Sequence, residues 1–78
     1  MNLIFSPPAW DEYLYWQEND QKILRRINAL LKDTLRTPLD GIGKPEPLRG
    51  EFAGFWSRRL TEEQRMIYQI SGVDLLLV

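Results

Sequence analysis

The chain has 78 residues, 44% of them hydrophobic and 12% aromatic, with no cysteine, no histidine and a formal net charge of −1. That length makes one domain, residues 1–78, whose core must come from large apolar side chains rather than disulfides. Thiol chemistry and histidine-ligated metal centres are excluded, and the near-neutral balance argues against a uniformly basic nucleic-acid binder.

Residues 2–6, NLIFS, form a short apolar run that reads as a strand. The N-terminus has neither a basic leader nor a long apolar stretch, so no signal peptide or membrane span is expected, which suits a cytoplasmic protein. Ser6 is a good N-cap, and Pro7 fits the first position of a helix, where its missing N–H costs nothing. In that helix Trp10, Tyr13, Leu14 and Gln17 fall at helical spacing and predict the buried stripe. The stretch NDQ reads as a turn and a second cap. The next helix carries Ile23, Ile27, Leu30 and Leu31 on one side and Lys22, Arg25, Arg26 and Lys32 on the other, and Pro38 ends it near Thr37.

Residues 38–47, PLDGIGKPEP, are rich in proline and glycine and read as an ordered loop. Beyond them GFWSRRL, RMIYQI and VDLLLV are β-prone runs separated by TEEQ and SG, short enough for a hairpin meander. The fold class is therefore α+β: an N-terminal strand, then two amphipathic helices packed on one face of a mainly antiparallel sheet. Charge is uneven along the chain. Asp11, Glu12, Glu18 and Asp20 occupy a first segment without Lys or Arg, and basic residues predominate from Lys22 onward.

Alternation along a strand sends Trp56, Arg58 and Leu60 one way and Phe55, Ser57 and Arg59 the other. If Trp56, Leu60, Met66, Tyr68 and Ile70 pack under the helices, Arg59 and Arg65 share the open face. Two guanidiniums there make a preorganised anion site, or else ordinary surface ion pairs with Glu46, Glu51, Glu62 or Glu63. Arg58, on the inner side, is expected to snorkel or to be paired rather than to bind a ligand.

Trp10, Tyr13, Tyr15, Trp16 and Gln17 in the first helix, INALLKDTLRTPLDGIGKPEPL across the second helix and loop, and GFWSRRLTEEQRMIY in the hairpin resemble the Txe/YoeB toxins of the RelE/ParE superfamily. The resemblance covers residues 1–78. It implies a RelE-like, microbial-ribonuclease-like fold and a ribosome-dependent mRNA interferase that cuts messenger RNA in the ribosomal A site. The implied reaction needs no cofactor or metal: a ribose 2′-hydroxyl attacks its own phosphate in line, giving a cyclic phosphate and a free 5′-hydroxyl.

By the same resemblance Glu46 is the general base, Arg65 stabilises charge on the phosphate, and Arg59 is a second phosphate-facing arginine. Lys44 belongs to the same substrate-binding group, and Arg49 stands where relatives often carry lysine. The family's partners would be a partly disordered antitoxin of YefM/Axe type, the ribosome with its mRNA, and operator DNA only through the antitoxin complex; relatives can also be homodimers. The basic side of the second helix, Lys22, Arg25, Arg26 and Lys32, is then a ribosomal RNA contact, or else a solvated face. Relatives continue into a tail ending in adjacent histidine and tyrosine, the histidine serving as general acid. These residues stop at Val78 without one, so impaired cleavage is expected. The alternative function is a non-catalytic binding module, either an antitoxin-bound corepressor or a relative of gyrase inhibitors.

Overall fold

The Ser6 hydroxyl accepts the Ala9 N–H at 3.2 Å, and this cap turns the chain from β1 (Asn2–Phe5) into α1 (Pro7–Asn19). Asp20 repeats the device by accepting from the N–H groups of Lys22 and Ile23, so α2 (Gln21–Arg36) starts directly beyond it. The computed structural model describes all 78 residues. Beyond the helices lie β2 (Glu46–Pro47), a 3₁₀ turn (Gly50–Phe52), β3 (Trp56–Arg59), β4 (Arg65–Ser71) and β5 (Asp74–Leu77). They form one five-stranded sheet in the order β1-β5-β4-β3-β2.

Consecutive pairs β3/β4 and β4/β5 are antiparallel, as the meander predicts, and β1 adds parallel to β5. Parallel addition follows from the intervening helices, which carry the chain across the sheet before β2 begins. The α+β expectation is met. The loop expectation is not fully met: inside residues 38–47, Glu46 and Pro47 pair with Ser57 and Trp56 as an edge strand. Proline is tolerated there because an edge strand needs only one side of its ladder.

The core gathers Ala9 from α1, Ile27, Leu30 and Leu31 from α2, and Met66, Tyr68, Leu75 and Leu77 from the inner face of the sheet. Phe5, Trp56, Leu60 and Ile70 pack against it, partly buried, so the inner-face set is as alternation along the strands requires. The second helix buries the predicted stripe. The first does so only at Tyr13: Trp10, Leu14 and Gln17 are exposed, and Ala9 and Trp16 join Tyr13 on the inner side. A helix that is aromatic on several sides offers no single stripe to read. Its inner side is chosen by the Ser6 cap and by Phe5, whose ring sits edge-on to Tyr13 at 5.4 Å.

This difference is measurable by denaturant unfolding. Leu30→Ala, at a fully buried site, should cost about 2–5 kcal/mol. Leu14→Ala, on the exposed side of α1, should cost less than about 1 kcal/mol. Equal costs would contradict the orientation of α1.

Candidate active site

Glu46, Arg59 and Arg65 lie on the outer face of the sheet. Residues directly paired in a sheet share a face, so the register Glu46–Ser57, Ser57–Ile67 and Arg59–Arg65 puts all of these side chains on the side away from the helices. Arg59 and Arg65 are exposed and directly opposite one another, a position where Cβ atoms lie about 4.5–5.5 Å apart. Glu46 is exposed on β2, two strands from Arg65 and two residues further along. From strand spacing and rise, its Cα stands about 12 Å from that of Arg65.

None of them is neutralised internally. The two salt bridges in the chain are Arg36–Asp33 at 3.0 Å and Arg58–Asp33 at 2.7 Å. Glu46, Glu51, Glu62 and Glu63 pair with neither open-face arginine, which removes the surface ion-pair reading. Like charges directly opposite on a sheet are unfavourable. An arrangement that keeps two guanidiniums together without a carboxylate leaves both available to an anion.

The main chain of Arg59 is held on both sides from outside the meander. Its N–H donates to the Gly43 carbonyl at 2.7 Å, and its carbonyl accepts from the Arg26 guanidinium at 3.2 Å. The first bond brings the backbone of Lys44 level with that of Arg59. Lys44 itself has φ +52, the left-handed region that an L side chain enters at a cost. Arg49 lies elsewhere: it is exposed just before the 3₁₀ turn, at the opposite end of β3 from Arg59. It therefore stands apart from the arginine pair.

Arg26 differs from the other three cations of the second helix. It is half-buried and engaged with Arg59, whereas Lys22, Arg25 and Lys32 are exposed without ion pairs. Those three remain a free basic surface.

The loop between α2 and β2 is anchored from below by Arg58, which is fully buried rather than snorkelling. Its Nη1 donates to Asp33 Oδ2 and to the Ile42 carbonyl, at 2.7 and 3.1 Å. Nη2 reaches the carbonyls of Thr37 and Asp40 at 2.6 and 2.8 Å, and Nε donates to the Tyr68 hydroxyl at 3.2 Å. That hydroxyl in turn donates to the Pro38 carbonyl at 2.7 Å. Gly43, at φ +81, lies so close above this network that a Cβ would come within 2.8 Å of Leu30 and 3.1 Å of the Arg58 Cβ. Asp33 and Tyr68 were not anticipated as supports of the site. One signal existed, a lone acid on a basic helix, but its partner lies 25 residues away.

A family profile described as the YoeB-like toxin of bacterial type II toxin–antitoxin systems matches residues 5–78. The toxin YoeB of Escherichia coli K12 is 56% identical over 77 residues, covering 99% of this chain and 92% of its own. A YoeB/ParE toxin from Agrobacterium tumefaciens superposes with a TM-score of 0.96 at 43% identity, over 100% of this chain and 93% of that one. The YoeB of Staphylococcus aureus, solved as a heterotetramer with YefM and as a dimer, superposes with TM-scores of 0.94 and 0.93. It is 40% identical, over 100% of this chain and 91% of its own.

Acid should loosen the loop through Asp33. The Ile42 N–H and then the Arg58 guanidinium hold its carboxyl below the ordinary aspartate range. A depressed folded pKa means that the stabilisation is fully present above the unfolded value of about 3.9 and is lost as pH falls through the folded one. Thermal unfolding followed from neutral pH into acid should therefore show a loss in the wild type, below about pH 4, that is diminished in Asp33→Asn. Parallel curves for the two proteins would show that Asp33 is not the group responsible.

Proposed function

The chain belongs to the YoeB-like toxins of bacterial type II toxin–antitoxin systems, and from that premise we propose that it is an endoribonuclease cutting messenger RNA in the ribosomal A site. The observation that carries this reading is the unpaired Arg59–Arg65 couple on the face of the sheet that also carries Glu46. A gyrase poison or a pure corepressor has no evident need for that set.

In the proposed reaction Glu46 takes the proton of a ribose 2′-hydroxyl as its oxygen attacks the adjacent phosphorus. The P–O5′ bond breaks, leaving a 2′,3′-cyclic phosphate and a 5′-oxygen that takes its proton from solvent water, while Glu46 returns its proton to solvent. Arg65 and Arg59 donate to the phosphate oxygens as their charge increases, and rigid donors aimed at developing charge are usually the largest catalytic contribution. Glu46 suits a base because Pro45 and Pro47 restrict its backbone and its pairing with Ser57 fixes its height above the sheet. Lys44 extends the cationic end along the RNA backbone, and Arg49 supports the Glu46 side. The histidine general acid that the resemblance implies for the family has no counterpart among these residues.

Lys22, Arg25, Arg26 and Lys32 are assigned to ribosomal RNA; Arg26 gives one N–H to the Arg59 carbonyl and keeps its charge unpaired. The proposed protein partner is a YefM-like antitoxin whose acidic and apolar segment covers the open face and competes with RNA for the two arginines. The Staphylococcus aureus relative is solved with YefM, which supports this pairing, and its dimer supports self-association as a further state. Operator DNA would be met only through the antitoxin complex. No helix is long and apolar enough to cross a membrane.

Cleavage of a defined mRNA on programmed ribosomes tests the base. Glu46→Gln, at an exposed edge position, should lower the rate roughly 10²- to 10⁴-fold while ribosome binding is retained; undiminished cleavage would remove Glu46 from the mechanism. Replacing Lys22, Arg25 and Lys32 by Gln should lower the salt dependence of ribosome binding, by about 0.7–0.9 in log–log slope for each phosphate that is no longer neutralised. An unchanged slope would leave these residues as a solvated face.

A further inference from the structure

We propose that Arg58 is a positioning residue for the reaction: by gathering the carbonyls of residues 37–42 it sets the segment that carries Glu46 against Arg59 and Arg65. The inference rests on the general-base reading of Glu46 and extends it to a residue that the substrate cannot reach, since Arg58 is 0% exposed.

The connection from α2 to β2 is irregular, and irregular backbone owes its shape to whatever satisfies its polar groups. Here one guanidinium does so. Arg58 makes six hydrogen bonds, to Tyr68 Oη, Asp33 Oδ2 and the carbonyls of Thr37, Pro38, Asp40 and Ile42. All five of its N–H donors are engaged, with Nη2 shared among three carbonyls. Asp33 Oδ2 closes the arrangement by accepting the Ile42 N–H at 2.9 Å.

From that anchored segment the chain passes through Gly43, whose carbonyl binds the Arg59 N–H, to Glu46 three residues later. Glu46 is otherwise held by a short edge pairing with β3, continued by the Leu48 N–H to the Phe55 carbonyl at 2.8 Å. Its approach to the scissile phosphate is thus set at one end by β3 and at the other by Arg58. Lysine cannot replace this fork, because three donors on one nitrogen do not span carbonyls distributed over six residues of loop.

The test compares wild type, Arg58→Lys, Tyr68→Phe, Glu46→Gln and each of the first two variants combined with Glu46→Gln. Single-turnover cleavage is measured against ribosome concentration, and amide hydrogen exchange is followed for residues 37–48 and for β5. Arg58→Lys should speed exchange in 37–48 by about 10-fold or more while β5 stays protected. Its maximal cleavage rate should fall about 10- to 100-fold, with the half-saturating ribosome concentration within about two-fold. In the Glu46→Gln background the same change should cost nothing further, because a positioning effect has no base left to position. Tyr68→Phe, which removes one hydroxyl and keeps the core ring, should shift each readout in the same direction by less.

A rate loss of equal size in both Glu46 backgrounds overturns the proposal, as does a loosened loop that cleaves at the wild-type rate or a loop that stays protected. If Arg58→Lys also exposes β5, the fold as a whole has opened, and Tyr68→Phe with its Glu46→Gln double decides by the same criteria. Wild type and Glu46→Gln cleaving alike is a different failure: it overturns the base assignment itself, and the positioning role falls with it.

Discussion

A guanidinium that sees no water constrains the rest of this small structure. Removing the charge of Arg58 from solvent costs several kcal/mol even after relaxation, and the fold offsets this with a carboxylate at 2.7 Å, a phenol and four main-chain carbonyls. The benefit is mutual. Those carbonyls belong to a turn that forms no ladder of its own, and no buried side-chain polar atom is left without a partner. An apolar residue of equal volume would fill the space and leave the loop without donors, so the site depends on this particular fork. Gly41 and Gly43 follow from the same constraint, because a Cβ at Gly41 would fall on the Asp33 carboxylate and one at Gly43 on Leu30.

Adjacent arginines in one strand consequently do opposite things. Arg58 points into the protein and organises the loop; Arg59 points out and has no ion-pair partner. A one-residue slip of β3 would exchange them, burying the wrong neighbour and exposing the fork. Register is therefore the decisive quantity, and three contacts secure it. The Leu60–Gln64 turn closes the hairpin through the Gln64 carbonyl, the Gly43 carbonyl holds Arg59 N–H, and Arg58 itself fits only one socket.

The outward pair carries a cost in the isolated chain. Arg59 and Arg65 stand opposite each other without a carboxylate between them, which an anion relieves whether it is phosphate or the side chain of an acidic peptide. Under the proposed function, substrate and antitoxin meet the same two guanidiniums, and inhibition needs no conformational signal. The unpaired cations of α2 and the exposed apolar groups Trp10, Leu14 and Tyr15 of α1 leave further surface for larger partners.

The elements and the faces of the sheet are legible in the amino-acid sequence. Ser6 and Asp20 mark helix starts, the period of Ile27, Leu30 and Leu31 orients α2, and alternation through Arg58, Arg59 and Arg65 separates an inner from two outer arginines. These are local rules of capping and periodicity, which a single chain segment obeys whatever its surroundings. Four features come from long-range assembly instead: which side of α1 is buried, the closing of the sheet edge by Glu46 and Pro47, the service of Arg26 to Arg59, and the completion of the Arg58 socket by Asp33 and Tyr68. Each of those depends on groups distant in sequence meeting in three dimensions, where desolvation and hydrogen-bond geometry, not propensity, choose among side chains that look alike along the chain.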